Sequence, residues 1–293
     1  MHFPVLLQEV LKYLNPQPNE NFIDATFGEG GYAKVILEKI KPKGRLLGID
    51  LDADLLKLAK ERYSEYKDRL ILVNDNYKNL EKIAEEKKFK NISGIIFDLG
   101  FCTRHLKESK RGFSFKKEEP LEMTYNKKNY LTAKKIINEW QGREIERILK
   151  EYGEERYAKR IMEKIIENRK KEPIETTFDL VEIIKKAVPK KYLFQRIHFA
   201  TRTFQALRIA VNKELENLKQ ALPQILKILK KEGRIVIISF HSLEDRIVKN
   251  FLKEKAKVGK IEILTKKPIR ALWQEIKINP SARSAKLRAA KKI

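Results

Sequence analysis

Asn21-Phe22-Ile23-Asp24-Ala25-Thr26-Phe27-Gly28-Glu29-Gly30-Gly31 reads as a short apolar strand that runs into three glycines, and a helical pattern (Val35, Ile36, Leu37, Ile40) follows at once. Strand, tight turn and helix N-terminus in that order make a ligand site. Glycines take positive φ and let a ligand approach the backbone, while the unpaired N–H groups of the helix start favour an anionic or carboxylate-bearing group. Leu46-Leu47-Gly48-Ile49-Asp50 is a second apolar strand, and its terminal carboxylate stands nineteen positions after Gly31. An acid there accepts hydrogen bonds from a ribose diol, so the expected ligand contains adenosine.

Outward from this stretch, Phe3 to Leu14 has helical spacing and stops at Asn15-Pro16. A helix over Asp52 to Tyr66 follows the second strand, and Leu70 to Val73 and Ile95 to Asp98 are further strands. Alternating strands and helices predict a parallel, doubly wound α/β sheet with ligands beyond the carboxyl ends of its strands. Asp24, Gly28 to Gly31, Asp50, Asp75 to Tyr77 and Asp98 all fall at such ends and are expected on one sheet edge, although any single aspartate there could instead cap a loop. From about Lys107 to Gln195 strand signals vanish, and four amphipathic helices are expected over 132–138, 143–152, 155–169 and 177–188. The expected division is therefore 1–106 and 198–293 for an α/β domain, with an all-helical domain inserted at 107–197. Phe204 to Leu229 is helical with a break at Pro223, Arg234 to Phe240 is the strongest strand, and Ile261 to Leu264 is another. From Asn279 the tail carries Arg283, Lys286, Arg288, Lys291 and Lys292 with no acid, which suits an arm along phosphates or a disordered end.

Sixty-four basic against 40 acidic residues give a net charge of +24, and 42% apolar content supports a real core. Such an excess of one sign points to a polyanionic partner, with a charged surface suited to high temperature as the alternative. Lys159, Arg160, Lys164, Arg169, Lys170 and Lys171 suit RNA backbone contact or a solvated helix face. Cys102 is the only cysteine, so an intrachain disulfide is excluded, a reducing cytoplasmic setting is expected, and no Cys/His metal cluster is. No segment approaches the roughly 20 apolar residues of a membrane span, and the N-terminus does not read as a signal peptide.

Taken together these motifs resemble the bacterial small-subunit ribosomal RNA cytosine-N4 methyltransferases (RsmH/MraW) from end to end. The resemblance rests on His2-Phe3-Pro4-Val5-Leu6-Leu7, the Asp24 to Gly31 turn, Gly48-Ile49-Asp50, Asp98-Leu99-Gly100 and Arg111-Gly112-Phe113-Ser114-Phe115. Tyr152-Gly153-Glu154-Glu155, Thr203 to Ile209, Ser239 to Arg246 and the tail after Asn279-Pro280 complete it. It implies a class I, Rossmann-like methyltransferase that moves a methyl group from S-adenosylmethionine to the exocyclic nitrogen of a cytidine in the decoding region. It further implies small-subunit ribosomal RNA or the assembled subunit as partner, no membrane and no metal, with a homodimer left open. Carried over by position, cofactor contacts would be Gly30, Gly31, Tyr32, Asp50 on the ribose, Tyr77 beside the adenine, Asp98 and His105, with Asp24 and Gly28 in the same turn. Tyr32 stands where the family usually has His, and Phe101-Cys102-Thr103-Arg104-His105 departs from the usual Val-Ser-Ser run. Glu122 and Thr124 in Pro120-Leu121-Glu122-Met123-Thr124 depart as well.

Methyl transfer needs donor carbon and acceptor nitrogen in near-attack geometry, and an acceptor on the amine N–H localises its lone pair. Asp98 is the expected acceptor, or else a cofactor contact only. The target base must be unstacked; Phe113, Phe115, Phe101 and Tyr125 are expected either to stack on it or to be core. His198, Arg202 and Arg208 are candidates for RNA contact, and His241 for a substrate phosphate or a polar cap. Two competing readings are a nicotinamide-dependent oxidoreductase, from Gly28-x-Gly30-x-x-Ala33, and an RNA-binding scaffold that keeps the cofactor without catalysis. A DNA or protein acceptor is a weaker third.

Overall fold

The computed structural model describes residues 4–293; His2 and Phe3, which open the first motif and the first expected helix, lie outside the described residues. The chain divides into two compact units, 1–100 with 215–293 and 101–214.

The first unit runs α1 (Leu7–Leu14), β1 (Asn21–Asp24), α2 (Ala33–Lys39), β2 (Leu46–Asp50), α3 (Ala53–Arg62), β3 (Leu70–Asn74), α4 (Leu80–Glu86) and β4 (Ile92–Asp98). The second holds α5 (Thr103–Lys107), α6 (Ala133–Glu139), α7 (Gly142–Glu151), α8 (Ala158–Arg169), α9 (Thr177–Ala187), α10 (Lys190–Leu193) and α11 (Thr201–Asn212). The chain then returns through α12 (Glu214–Ile228), β5 (Leu229–Ser239), α13 (Ser242–Lys257), β6 (Ile261–Ile263), α14 (Trp273–Ile278) and β7 (Lys286–Lys292). No helix among the described residues is long and apolar enough to cross a membrane.

The seven strands form one sheet in the order β3-β2-β1-β4-β5-β7-β6, parallel from β3 to β5 with β7 antiparallel to both neighbours. Strand side chains alternate between faces. Phe22, Leu46, Ile96, Val236 and Leu287 accordingly enter one core with α1, α2 and α3. Ile23, Leu47, Ile95, Ile235 and Ala290 enter the other with α4, α12 and α13. Helices on both faces leave the strand ends as the open edge, as the α/β periodicity predicts.

Three expectations change. The helix over 204–229 is broken at Lys213, in the left-handed conformation at φ 52°, and not at Pro223, which lies inside α12. Pro223 and Lys219, whose carbonyl the proline leaves without its helical donor, are both exposed. Helix α11, expected to begin the returning α/β domain, buries Phe204, Ala206, Leu207, Ala210 and Val211 in the helical unit's core. The basic tail is β7, an inner strand with Leu287, Ala289 and Ala290 wholly buried. Its cations are spent inside the fold: Arg288 Nε donates to Asp245 Oδ1 at 2.7 Å, and Lys291 pairs with Glu232 and Glu262 at 2.9 and 3.1 Å.

Candidate functional site

The glycine turn is laced to both neighbouring strands. Ala25 N–H donates to the Ile96 carbonyl and Phe27 N–H to that of Ile49, each at 2.9 Å, so the turn continues β1 past its last residue. Gly28, at φ 53°, donates its N–H to Asp50 Oδ2 at 2.6 Å, and Asp50 Oδ1 accepts from Asp52 N–H at 2.8 Å. A side chain at Gly28 would meet nothing within 4 Å, which leaves that face of the turn open to a ligand. Gly30 is the opposite case: at φ 75° it lies under the Tyr63 ring, whose hydroxyl donates to its carbonyl at 2.6 Å. Gly31 packs against Pro4. Tyr77, in a 3-10 turn after β3, meets Phe97 edge-on at 5.6 Å between centroids.

Asp24 and Asp98 close β1 and β4 on this same edge. Thr26 ties them together: its N–H donates to Asp24 Oδ1 at 3.2 Å and its hydroxyl oxygen accepts from Asp98 N–H at 2.6 Å. Asp98 Oδ2 lies 3.3 Å from the Tyr32 hydroxyl, which also donates to the Val5 carbonyl at 2.7 Å. Asp24 Oδ2 and Asp98 Oδ1 are buried and have no hydrogen-bond partner among the described residues. Burial pushes the Asp24 carboxyl up to about 8, and the charges of Asp98 and Asp50 add to it. Burial pushes Asp98 up to about 7; the Tyr32 hydrogen bond pulls it back and the Glu244 charge raises it. Burial also raises the Tyr32 phenol, which stays protonated as a donor.

Unmade bonds of this kind cost about 1–3 kcal/mol each, and more for charged groups. The edge therefore suits a ligand that brings a cation and hydroxyls. S-adenosylmethionine carries a sulfonium, an ammonium and a ribose diol, and these residues fit it. A dinucleotide would bring the negative charge of its pyrophosphate in place of a cation, so these acids favour the sulfonium ligand over the oxidoreductase reading.

The other expected residues sort differently. In the helical unit, Phe113 is buried and stacks on Tyr125 at 5.4 Å, with the His105 ring 5.1 and 5.2 Å from the two. His105 Nδ1 accepts from Cys102 N–H at 3.2 Å, so His105 closes the first turn of the short helix α5 in this unit. Arg208 stacks 4.7 Å above Phe101 and forks onto Glu214 at 2.8 and 2.9 Å, a structural pair and not an outward cation. Phe115 lies flat on His198 at 4.4 Å, and Arg202 donates to the Glu154 carbonyl at 2.9 Å. His241, in the first unit, caps α13 by accepting from Glu244 N–H at 3.4 Å; of its two expected roles, the polar cap is the one seen. The basic face of α8 is largely neutralised within the helical unit: Lys164 and Lys171 reach Glu167, and Arg169 donates to the carbonyls of Ile137 and Trp140. Sequence reasoning assigned nothing to Thr26 or Tyr63, because a threonine or tyrosine that serves a backbone group leaves no spacing signal.

The chain's full length, residues 1–293, matches the family model described as the MraW methylase family. It is 45% identical over 295 residues to ribosomal RNA small subunit methyltransferase H of Thermotoga neapolitana, covering 100% of this chain and 96% of that protein. Against the protein of the same name from Persephonella marina it is 45% identical over 292 residues, covering 100% and 99%. A solved ribosomal RNA methylase from Streptococcus thermophilus aligns over 100% of this chain and 99% of that one, at 12% identity and a TM-score of 0.46. The open carboxylate edge that fits a sulfonium donor is thus the edge of a methylase, and the chain belongs to the MraW methylase family.

Proposed function

We propose that this methylase transfers the methyl group of S-adenosylmethionine to the exocyclic N4 of a cytidine in small-subunit ribosomal RNA, acting in the cytoplasm on free RNA or the assembled subunit. The observation that carries the reading is the pair of buried, unpartnered carboxylate oxygens of Asp24 and Asp98 beside the open glycine turn. Asp50, already fixed by the Gly28 and Asp52 amides, takes the ribose hydroxyls; Tyr77 borders the adenine; Gly28 and Tyr32 face the methionine end, while Gly30 and Gly31 hold the turn against Tyr63 and Pro4. S-adenosylmethionine, when bound, supplies an electrophilic methyl carbon on a positively charged sulfur. Asp98 accepts a hydrogen bond from the cytidine amine, raises its lone-pair availability, and takes the proton the amine loses as the new N–C bond forms and the C–S bond breaks. Its carboxyl, pushed up to about 7, suits a base at neutral pH. Tyr32 orients that carboxylate through Oδ2 and leaves Oδ1 for the amine.

The test is mass spectrometry of small-subunit RNA after incubation with the protein and methyl-labelled S-adenosylmethionine, with Asp98→Asn in parallel. Label on cytidine N4, lost in the variant while cofactor affinity persists, is the expected result. Label on another atom, or full turnover by Asp98→Asn, overturns the assignment.

A further inference from the structure

Between α9 and α11 the helical unit exposes a short basic and aromatic segment. Residues 189–202 contain Lys190, Lys191, Arg196 and Arg202 and no acid. Phe194 is 87% exposed and Ile197 51%. Next to Phe194 in the chain, Tyr192, Gln195, Arg196, Ile197, His198 and Arg202 line an open recess.

The recess has a built wall. The His198 ring is clamped between Phe115, at 4.4 Å and 9°, and Phe199, at 4.2 Å and 28°. His198 Nδ1 accepts the Ala200 N–H at 3.3 Å, so the neutral ring carries its proton on Nε2 as a fixed donor. Burial, helped by the Lys116 charge, holds the imidazole below its usual range and keeps it neutral. Below it, the buried Tyr192 hydroxyl bonds both Glu155 oxygens at 3.1 and 3.0 Å, which holds the floor. Arg202 uses one Nη for the Glu154 carbonyl. Arg196, Lys190 and Lys191 form no ion pair among the described residues, unlike the cations of α8 and β7.

We infer that this segment is a subsite for one unpaired nucleotide of single-stranded RNA, with the base stacked on Phe194 and its phosphates at Arg196 and Arg202. His198 Nε2 and Gln195 meet the base edge. An exposed aromatic ring among unopposed cations is the chemistry of single-strand binding: the ring takes any base by its π-face and the guanidinium groups follow the backbone. A duplex offers no free base face to Phe194, and an anionic membrane would use the charge without the flat-walled recess. The inference rests on the ribosomal RNA reading above and adds where a nucleotide outside the reacting one is held.

The experiment uses the full chain, a fluorescein-labelled 12-nucleotide oligouridylate, a 12-base-pair RNA duplex and phosphatidylglycerol vesicles. Phe194→Ala should weaken oligouridylate binding about 5- to 150-fold, the range for loss of one base stack, with duplex binding unchanged. Phe194→Trp should restore it. Arg196→Ala should lower the slope of log affinity against log salt by about 0.7, the value for one single-strand phosphate. Oligouridylate binding by Phe194→Ala within twofold of the parent, an equal loss on duplex, or a loss confined to vesicles each overturns the subsite. S-adenosylmethionine affinity and the KM for ribosomal RNA separate the two claims. A parent that transfers no methyl group but loses oligouridylate affinity with Phe194→Ala refutes the methylation reading alone. A parent that methylates cytidine while Phe194→Ala leaves affinity and KM unmoved refutes the subsite alone.

Discussion

Replacing Asp24 by Asn removes the most strongly perturbed acid of the sheet edge and should convert a pH-dependent fold into a much flatter one. Burial, with Asp98 and Asp50 adding to it, pushes the Asp24 carboxyl from 3.8 up to about 8. Between those values the folded state holds a proton that the unfolded chain has released. Stability that is whole below pH about 4 therefore drains away as pH rises toward 8. A shift of about four pK units corresponds to a ceiling on the order of 5 kcal/mol at 1.36 kcal/mol per unit. Water entering an open edge halves such a figure readily. Thermal unfolding of parent and Asp24→Asn without cofactor, from pH 5 to 8.5, measures it. The parent should lose ground steadily on the variant as pH rises, with a gap of roughly 5–15 °C at pH 8, using 2–4 °C per kcal/mol. Saturating S-adenosylmethionine should narrow that gap, because a bound cation stabilises the ionised carboxylates. Parallel curves, separated by the same interval at every pH, would show Asp24 ionised in the folded protein and refute the reasoning.

Asp98→Asn should lower turnover about 10²- to 10⁴-fold, the usual worth of a general base, with S-adenosylmethionine affinity measured separately by titration calorimetry. In the parent, log kcat should rise with pH and level off at or below about 7, since the bound sulfonium draws the Asp98 value down from there; a flat profile to pH 5 would remove the base. Gly30→Ala forces a side chain to 2.5 Å from the Tyr63 ring at a positive φ, for about 1–3 kcal/mol of backbone strain plus similar overpacking. Chemical denaturation should show that loss, and Gly28→Ala, which shares the positive φ but meets no atoms within 4 Å, should cost the fold less and weaken cofactor binding as well. Leu287→Ala in β7 should cost about 2–5 kcal/mol; a cost under 0.5 kcal/mol would mean the strand is not seated in the sheet.

The sheet edge was legible because strand ends, glycines and acids recur at intervals fixed by the α/β unit. Asp24, Asp50 and Asp98 each close a strand of four or more residues, and parallel strands bring such ends to one side. The tail was misread because charge dominates its composition. Lys286-Leu287-Arg288-Ala289-Ala290-Lys291-Lys292 hides a buried strand, since its partners Asp245, Glu232 and Glu262 lie far away in sequence. Arg208 misled in the same way: nothing local marks Glu214 as its partner across the helix end. Tyr32 was noted as a departure, yet its hydrogen bonds to Val5 and Asp98 depend on packing that only the folded chain supplies.

The helical unit interrupts the sheet between β4 and β5, which pair side by side in register. Were the ~130 residues between Asp98 and Leu229 a slack tether, bringing those strands together would cost roughly 4 kcal/mol of chain entropy by (3/2)RT ln n. The unit fastens its own two ends instead, Phe101 beneath Arg208, and Tyr125 N–H bonded to Asn212 Oδ1 at 2.9 Å. Once it has condensed, a long detour becomes a short clasp, and strands distant in sequence meet as if a turn joined them.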